Sequence, residues 1–191
     1  MIKFKQVLLA AAILCAGATA SAANLVDNGG FETGSFSGWS LTGNTGYSGV
    51  TGNFLSIAPS EGAFQAHFGA VGSDGNLAQS LAVSSTDHYI VSFDLADFGG
   101  TSQDFSASFG GTTLLSLGNA SVSGYTHYSF DVLGGNGTLE FSLRNDPSYW
   151  LLDNVSVTAA ISAVPEASSN AMLLAGVAML GFAALRRRSA R

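Results

Sequence analysis

The sequence is almost without cysteine and, over most of its length, almost without positive charge. Its one cysteine, Cys15, lies near the start, so the rest of the chain has no disulfide and no thiol chemistry. Of the seven Lys and Arg residues, only Arg144 lies within residues 23–163, which hold twelve of the thirteen acidic residues. The resulting net charge of about −11 argues against nucleic-acid binding, which depends on Lys and Arg contacts to phosphates.

Motifs of known catalytic chemistry are also missing from the sequence. There is no His-x-x-His spacing for zinc and no Gly-x-Ser-x-Gly turn for an acyl-transfer serine. Glycoside hydrolysis needs two carboxylates roughly 5–10 Å apart, and so acidic a chain offers accidental pairs such as Asp94 and Asp97. We therefore predict that the protein is not an enzyme, and we assign no catalytic residue.

Residues 1–22 have the pattern of a secretory signal peptide. Lys3 and Lys5 precede an apolar run over residues 7–18, and Ala20 and Ala22 form a small-x-small cleavage pattern with Ser21 between them. The apolar run is too short to span a bilayer. We expect Sec-type export and a mature chain that begins at Ala23.

The C-terminal end predicts a membrane segment. Residues 161–170 form a linker, residues 171–185 are uncharged, and residues 186–191 form a basic tail. As a helix, the uncharged run would measure roughly 22 Å against a hydrocarbon core of roughly 30 Å. Because Arg186, Arg187 and Arg188 follow it directly, the positive-inside rule places the body of the protein outside the cytoplasm.

This end resembles the PEP-CTERM sorting domain of Gram-negative envelope proteins. The sorting motif is Val164, Pro165 and Glu166, although Ala167 stands where the name motif has a second proline. The resemblance implies recognition and cleavage by an exosortase. It also implies an inner-membrane-anchored precursor with its body in the periplasm, followed by display at the cell surface or in the extracellular matrix.

Between the two ends, the apolar residues alternate with a period of two, which predicts β-strands. The clearest strands are residues 89–95 and 128–132, and Gly110-Gly111 predicts a tight hairpin between residues 105–109 and 112–117. Further strands are expected at residues 64–68, 77–83, 139–143 and 151–158. About eight short strands predict an all-β fold over residues 23–160, an antiparallel β-sandwich or jelly roll.

The first and last strands add a second resemblance. Residues 24–32, Gly38-Trp39 and residues 152–157 are similar to the ends of carbohydrate-binding-module jelly rolls. In those modules the equivalents of Glu32 and Asp153 help to hold a structural Ca²⁺, so the resemblance implies a possible calcium site here.

The sequence pattern bears on Asp153 independently. It falls in phase with Leu151, Val155 and Val157, which predicts that it starts on the buried side of its strand. A buried carboxylate must be paired or metal-bound. Its partner could be calcium, backbone amides or Arg144.

Aromatic side chains provide candidates for a sugar-stacking surface: Trp39, Trp150, Tyr149 and Tyr47. The same side chains could equally belong to the core. Three functions therefore stay open, namely a module that binds polysaccharide, a purely structural envelope or biofilm component, and a small glycan hydrolase.

Overall fold

The computed structural model describes residues 22–119 and 124–160, which form ten β-strands and contain no helix. Within that part of the chain, no helix could span a membrane. Cleavage residue Ala20 lies outside the described residues, as do sorting residues Val164, Pro165 and Glu166, the apolar segment, and Arg186, Arg187 and Arg188. The strands are β1 Ser40–Gly43, β2 Gly49–Thr51, β3 Gln65–Phe68, β4 Gly75–Ser80, β5 His88–Asp97, β6 Ser102–Phe109, β7 Thr112–Gly118, β8 Thr126–Leu133, β9 Thr138–Asp146 and β10 Trp150–Ala159.

The strands form two five-stranded antiparallel sheets. Sheet A has the order β1-β4-β9-β6-β7, and sheet B has the order β2-β3-β10-β5-β8. Consecutive strands often lie in different sheets, as in a jelly roll. The predicted β-sandwich is therefore confirmed, and the strands that the sequence did not predict are β1 and β2, the first two and among the shortest.

The core lies between the two sheets and is rich in phenylalanine. Phe93 of β5 meets Phe141 of β9 edge-to-face with 5.2 Å between ring centroids, and Phe105 of β6 lies 5.5 Å from the Trp150 ring. The predicted alternation in β5 is confirmed, because Tyr89, Val91, Phe93 and Leu95 are all buried. Aromatic pairs of this kind contribute roughly 0.5–1.5 kcal/mol each beyond their buried area.

The β6–β7 hairpin is also confirmed. Gly110 and Gly111 both have positive φ angles, 62° and 89°, as a primed two-residue turn requires. Phe109 and Thr112 are paired at its base.

Strand β10 differs from the predicted alternation. Its register with β5 shifts between Asp153 and Ser156, where Asn154 has a φ of 50°. Trp150 and Leu152 face the core before this bulge, and Val155 and Val157 face it after the bulge. The expectation that Asp153 shares a face with Val155 and Val157 is corrected, because the extra residue moves Asp153 to the outer side of sheet B.

Candidate functional site

A pocket of about 260 Å³ opens at one end of the sandwich, where three connections between strands meet. These are residues 44–48 between β1 and β2, residues 69–74 after β3, and residues 147–149 between β9 and β10. We call it the end pocket, and its lining residues are Tyr47, Gly69, Val71, Asp146, Pro147, Ser148 and Tyr149. It combines aromatic and apolar surface with hydroxyl and carboxylate groups.

Tyr47 is the most exposed aromatic side chain of the end pocket. Its exposed fraction is 71%, and its φ of 58° is a left-handed conformation that costs free energy for a residue with a side chain. The connection that carries it is fixed at Asn44, whose Nδ2 donates to the carbonyl of Val71 at 2.7 Å. The chain thus holds a large aromatic ring in solvent on a loop tied to the opposite wall of the pocket.

Tyr149 is held in place by packing. Its ring lies 4.8 Å from that of Phe54 and 6.0 Å from His67, both at steep angles. Gly69 packs against the same ring, since a Cβ atom at this position would lie 2.5 Å from Cε1 of Tyr149 and 3.1 Å from Cβ of Tyr47. Glycine at position 69 therefore lets the two tyrosines approach one another across the pocket.

The structure separates the predicted aromatic candidates into two groups. Tyr47 and Tyr149 come together in the end pocket. Trp150 has an exposed fraction of 0%, and its Nε1 donates to the carbonyl of Arg144 at 3.0 Å. As the first residue of β10 it faces the core, so the structure corrects its assignment as a ligand contact.

Trp39 is also packed against the core. Its ring stacks on Phe31 with 5.9 Å between centroids, and its Nε1 donates to the carbonyl of Asn28 at 3.2 Å. Its role in ligand binding stays a prediction, and its contacts are those of a side chain that fixes the N-terminal segment.

The one basic residue of the body is engaged by acids. Arg144 lies on sheet A, with Nε 3.6 Å from Asp74 and one terminal nitrogen 3.9 Å from Asp104. Arg144, one of the partners left open for Asp153, therefore pairs with other carboxylates. Two residues further along the chain, Asp146 lines the end pocket, so the nearest cation in sequence is already shared by two other carboxylates.

Glu32 and Asp153 hold a second region, which we call the anchored loop, residues 60–64. Asp153 has an exposed fraction of 0%, and its Oδ2 accepts hydrogen bonds from Ser60 N, Ser60 Oγ and Glu61 N at 2.8 to 3.1 Å. Glu32 Oε1 accepts from Ala63 N and Phe64 N, both at 3.0 Å. Glu32, near the start of the domain sequence, and Asp153, near its end, thus both hold the anchored loop in place.

These contacts bear on the predicted calcium site. Asp153 Oδ1 also accepts from Asn154 N at 2.7 Å, so Oδ2 has three donors and Oδ1 has one. Ca²⁺ takes six to eight oxygen ligands, and among residues 22–119 and 124–160 no group of three His, Cys, Asp or Glu could hold a metal. These four donors would compete with a metal ion for the Asp153 oxygens, and the calcium site at Glu32 and Asp153 stays a prediction.

A polar network that sequence reasoning did not find surrounds Asp153. Tyr125 donates its hydroxyl to Gln65 Oε1, and Gln65 Nε2 donates to the carbonyls of Gly52 and Ile57. Burial raises the pKa of Tyr125, and the carboxylates of Asp153 and Asp94 raise it further, so the hydroxyl stays protonated and donates. Gln65 has no exposed surface, and its side-chain contacts connect the β2–β3 loop to the β8 side of the sheet.

Burial also raises the pKa of Asp153, and the four hydrogen bonds oppose that shift. Its neighbour Asp94 accepts from Asn154 Nδ2 at 3.2 Å and meets His127 Nδ1 at 2.6 Å. Asp153 is buried from solvent and Asp94 is bound by two side chains, so both carboxylates belong to a structural hydrogen-bond network.

Comparison with known proteins identifies the two parts of the chain. Residues 163–188 match the family description PEP-CTERM protein-sorting motif, so the chain carries that motif. The motif implies an exported protein with a C-terminal membrane anchor that is processed by an exosortase. No curated protein matches the chain.

Solved structures share the fold of the β-sandwich. TmCBM61, solved in complex with beta-1,4-galactotriose, is 19% identical with a TM-score of 0.57, over 72% of this chain and 99% of that one. The CBM22-1 xylan-binding domain of Paenibacillus barcinonensis Xyn10C is 16% identical with a TM-score of 0.52, over 76% and 100%. The enzymatically active domain of tailspike protein 4 of Bacteriophage CBA120 is 14% identical with a TM-score of 0.54, over 71% of this chain and 21% of that chain. The body thus shares its β-sandwich fold with these two carbohydrate-binding modules.

Proposed function

We propose that this protein is a non-catalytic glycan-binding module, exported and displayed at the cell envelope through its C-terminal sorting tail. The end pocket is the proposed glycan contact. The matrix exopolysaccharide is its proposed partner, and the exosortase and the export machinery act on its two ends.

The observation that carries this proposal is the exposed Tyr47 ring beside Tyr149. The Tyr47 side chain, 71% exposed and on a backbone with a positive φ, buries little of its surface in the fold. Residues held in such conformations cluster at binding sites, where the conformation serves the ligand. Flat tyrosine faces suit the apolar faces of sugar rings, and Ser148 and Asp146 offer hydrogen-bonding groups beside them.

Two neighbours of the same fold are named for their glycan contacts, which supports the choice of ligand class. A purely structural role would not explain why the Tyr47 ring is exposed on a backbone with a positive φ. The alternative that it hydrolyses glycans would need two accessible carboxylates at one site, and Asp146 is the single acid among the described residues that line the end pocket.

The proposal can be tested with the full chain, purified in mild detergent, on a panel of immobilised polysaccharides. Tyr47→Ala and Tyr149→Ala should each reduce retention about tenfold, since each removes one stacking face, while Leu133→Ala, another exposed apolar residue, should leave it unchanged. Absence of retention on every polysaccharide would favour the structural alternative, and release of reducing sugars would favour the hydrolase.

The sorting part of the proposal has its own measurement. Mass spectrometry of the protein recovered from the envelope should give a chain that starts at Ala23 and ends before the arginine cluster. A mature chain that retains both Met1 and Arg191 would contradict export and processing.

A further inference from the structure

We propose that the end pocket selects amino sugars, whose ammonium group is positively charged, over acidic sugars. This inference rests on the proposed glycan-binding function and adds the chemical class of the ligand. It arises from the charges around the pocket and from the pairing of its aromatic rings with a carboxylate.

First, the body of the protein, residues 23–163, has a negative electrostatic potential. With twelve acids and one base within residues 23–163, the surface potential is negative, and it lowers the local concentration of uronic acids or phosphorylated sugars. The base cannot compensate locally, because Arg144 is shared by Asp74 and Asp104. A ligand with negative charge would therefore meet repulsion without a matching cation.

The second step is the composition of the pocket itself. Asp146 lines it together with Tyr47 and Tyr149. Among the ion pairs of the described residues, Asp146 takes part in none. A carboxylate beside two aromatic rings attracts an ammonium group in two ways, by charge and by the negative faces of the rings.

The third step is the contrast with the other acids of the same surface. Asp131 on β8 meets His88 Nδ1, Asp94 meets His127, and Asp74 and Asp104 meet Arg144. Asp146 thus combines an aromatic pocket with a carboxylate that is not shared with a basic side chain of the described residues. Acids also line pockets elsewhere, for example Asp27 in one and Glu32 with Glu61 in another, but no aromatic side chain lines either of those pockets.

The experiment compares three tetrasaccharide probes on the full chain in mild detergent: β-1,4-linked glucosamine, its N-acetylated form and galacturonate. Affinities are measured by calorimetry at about pH 6, below the range in which amines titrate. The glucosamine probe should bind about five- to tenfold more tightly than the N-acetylated probe, and galacturonate should bind most weakly. The preference should shrink as the salt concentration rises.

Two variants with the same change of net charge locate the effect. Asp146→Asn should lower the affinity for the glucosamine probe about five- to tenfold and that for the N-acetylated probe less, so that the preference for glucosamine disappears. Asp131→Asn, at an exposed site beside His88, should leave the preference intact.

The outcomes separate this inference from the function on which it rests. If the N-acetylated probe binds and glucosamine binds no better, or if Asp146→Asn keeps the preference, selection of amino sugars is overturned while glycan binding stands. If neither these probes nor any polysaccharide of the panel binds, the proposed function fails and the inference fails with it.

Discussion

The end pocket and the anchored loop lie on the same sandwich but differ in how their key side chains are exposed and hydrogen-bonded. At the anchored loop, the Asp153 carboxylate is wholly buried and has four hydrogen-bond donors. At the end pocket, the Tyr47 ring lies mostly in solvent on a strained backbone. Groups whose bonding capacity is filled by the protein serve stability, and groups presented to solvent at a cost are free to serve a ligand.

The largest expected effect on stability comes from a core residue, Trp150, which does not line the end pocket. Trp150→Ala should lower the free energy of unfolding by about 3–5 kcal/mol, because it removes a fully buried indole and leaves a cavity among the core rings. Urea denaturation of the variant and of Trp150→Phe, which should lose less, measures this. The amount of folded protein retained on glycans should not change. A Trp150 variant that keeps its stability but loses glycan retention would show that Trp150 contacts the glycan.

The next effect concerns the anchored loop. Asp153→Ala leaves four partly buried donors without their acceptor, so we expect a loss of about 1–3 kcal/mol. Asp131→Ala, at an exposed carboxylate, serves as the matched control and should change stability by about 0.5 kcal/mol or less. Equal losses in the two variants would show that the loop is not anchored through Asp153.

The same denaturation curves test calcium. Because four protein donors already contact the Asp153 oxygens, we expect added Ca²⁺ or a chelator to leave the melting temperature of the wild type unchanged, in contrast to the calcium site that the resemblance implies. A ligand that binds only the folded state at one hundred times its dissociation constant would add about 2.7 kcal/mol. A stabilisation of that size that disappears in Asp153→Ala would establish the calcium site.

The outcome at Asp153 shows how far the sequence could predict the molecule. Alternation and turn chemistry were sufficient for β5 and for the Gly110-Gly111 hairpin, because both signals are local. They placed Asp153 in a buried position but on the wrong face, because the bulge depends on the backbone of Asn154, which the residue pattern does not reveal. Likewise, the sequence left Trp150 open between a sugar-stacking surface and the core, and the register of β10 places its side chain in the core.

The end pocket could be predicted only in part. Tyr47 and Tyr149 were among the aromatic candidates, but they are about a hundred residues apart in the chain. Their meeting depends on Gly69, whose significance is visible only when the Tyr149 ring packs against it. Long-range proximity of this kind comes from the strand order, which a single sequence does not specify.

Gly69 provides a test within the pocket, with an expected effect on stability similar to that of Asp153→Ala. Gly69→Ala would place a methyl group 2.5 Å from the Tyr149 ring, so the ring must move, at a cost of about 1–3 kcal/mol. We expect glycan retention to fall as well, because the two tyrosines no longer face the same space. Gly72→Ala is the control, since a Cβ atom there meets nothing within 4 Å, although its φ of 80° adds backbone strain. Unchanged retention in Gly69→Ala would mean that the position of Tyr149 does not matter for binding.

Substitution of Tyr47 should have the smallest effect on stability, and it tests directly whether this residue serves the fold or the ligand. Glycine adopts positive φ angles without the cost that tyrosine pays, so Tyr47→Gly should unfold at the same free energy as the wild type or up to about 1 kcal/mol higher. The same substitution should abolish the contribution of Tyr47 to glycan retention. A variant that gains stability as it loses binding is the signature of a residue kept for its ligand. If Tyr47→Gly instead destabilises the fold and retains its glycan, Tyr47 is a structural residue and the end pocket loses its main support.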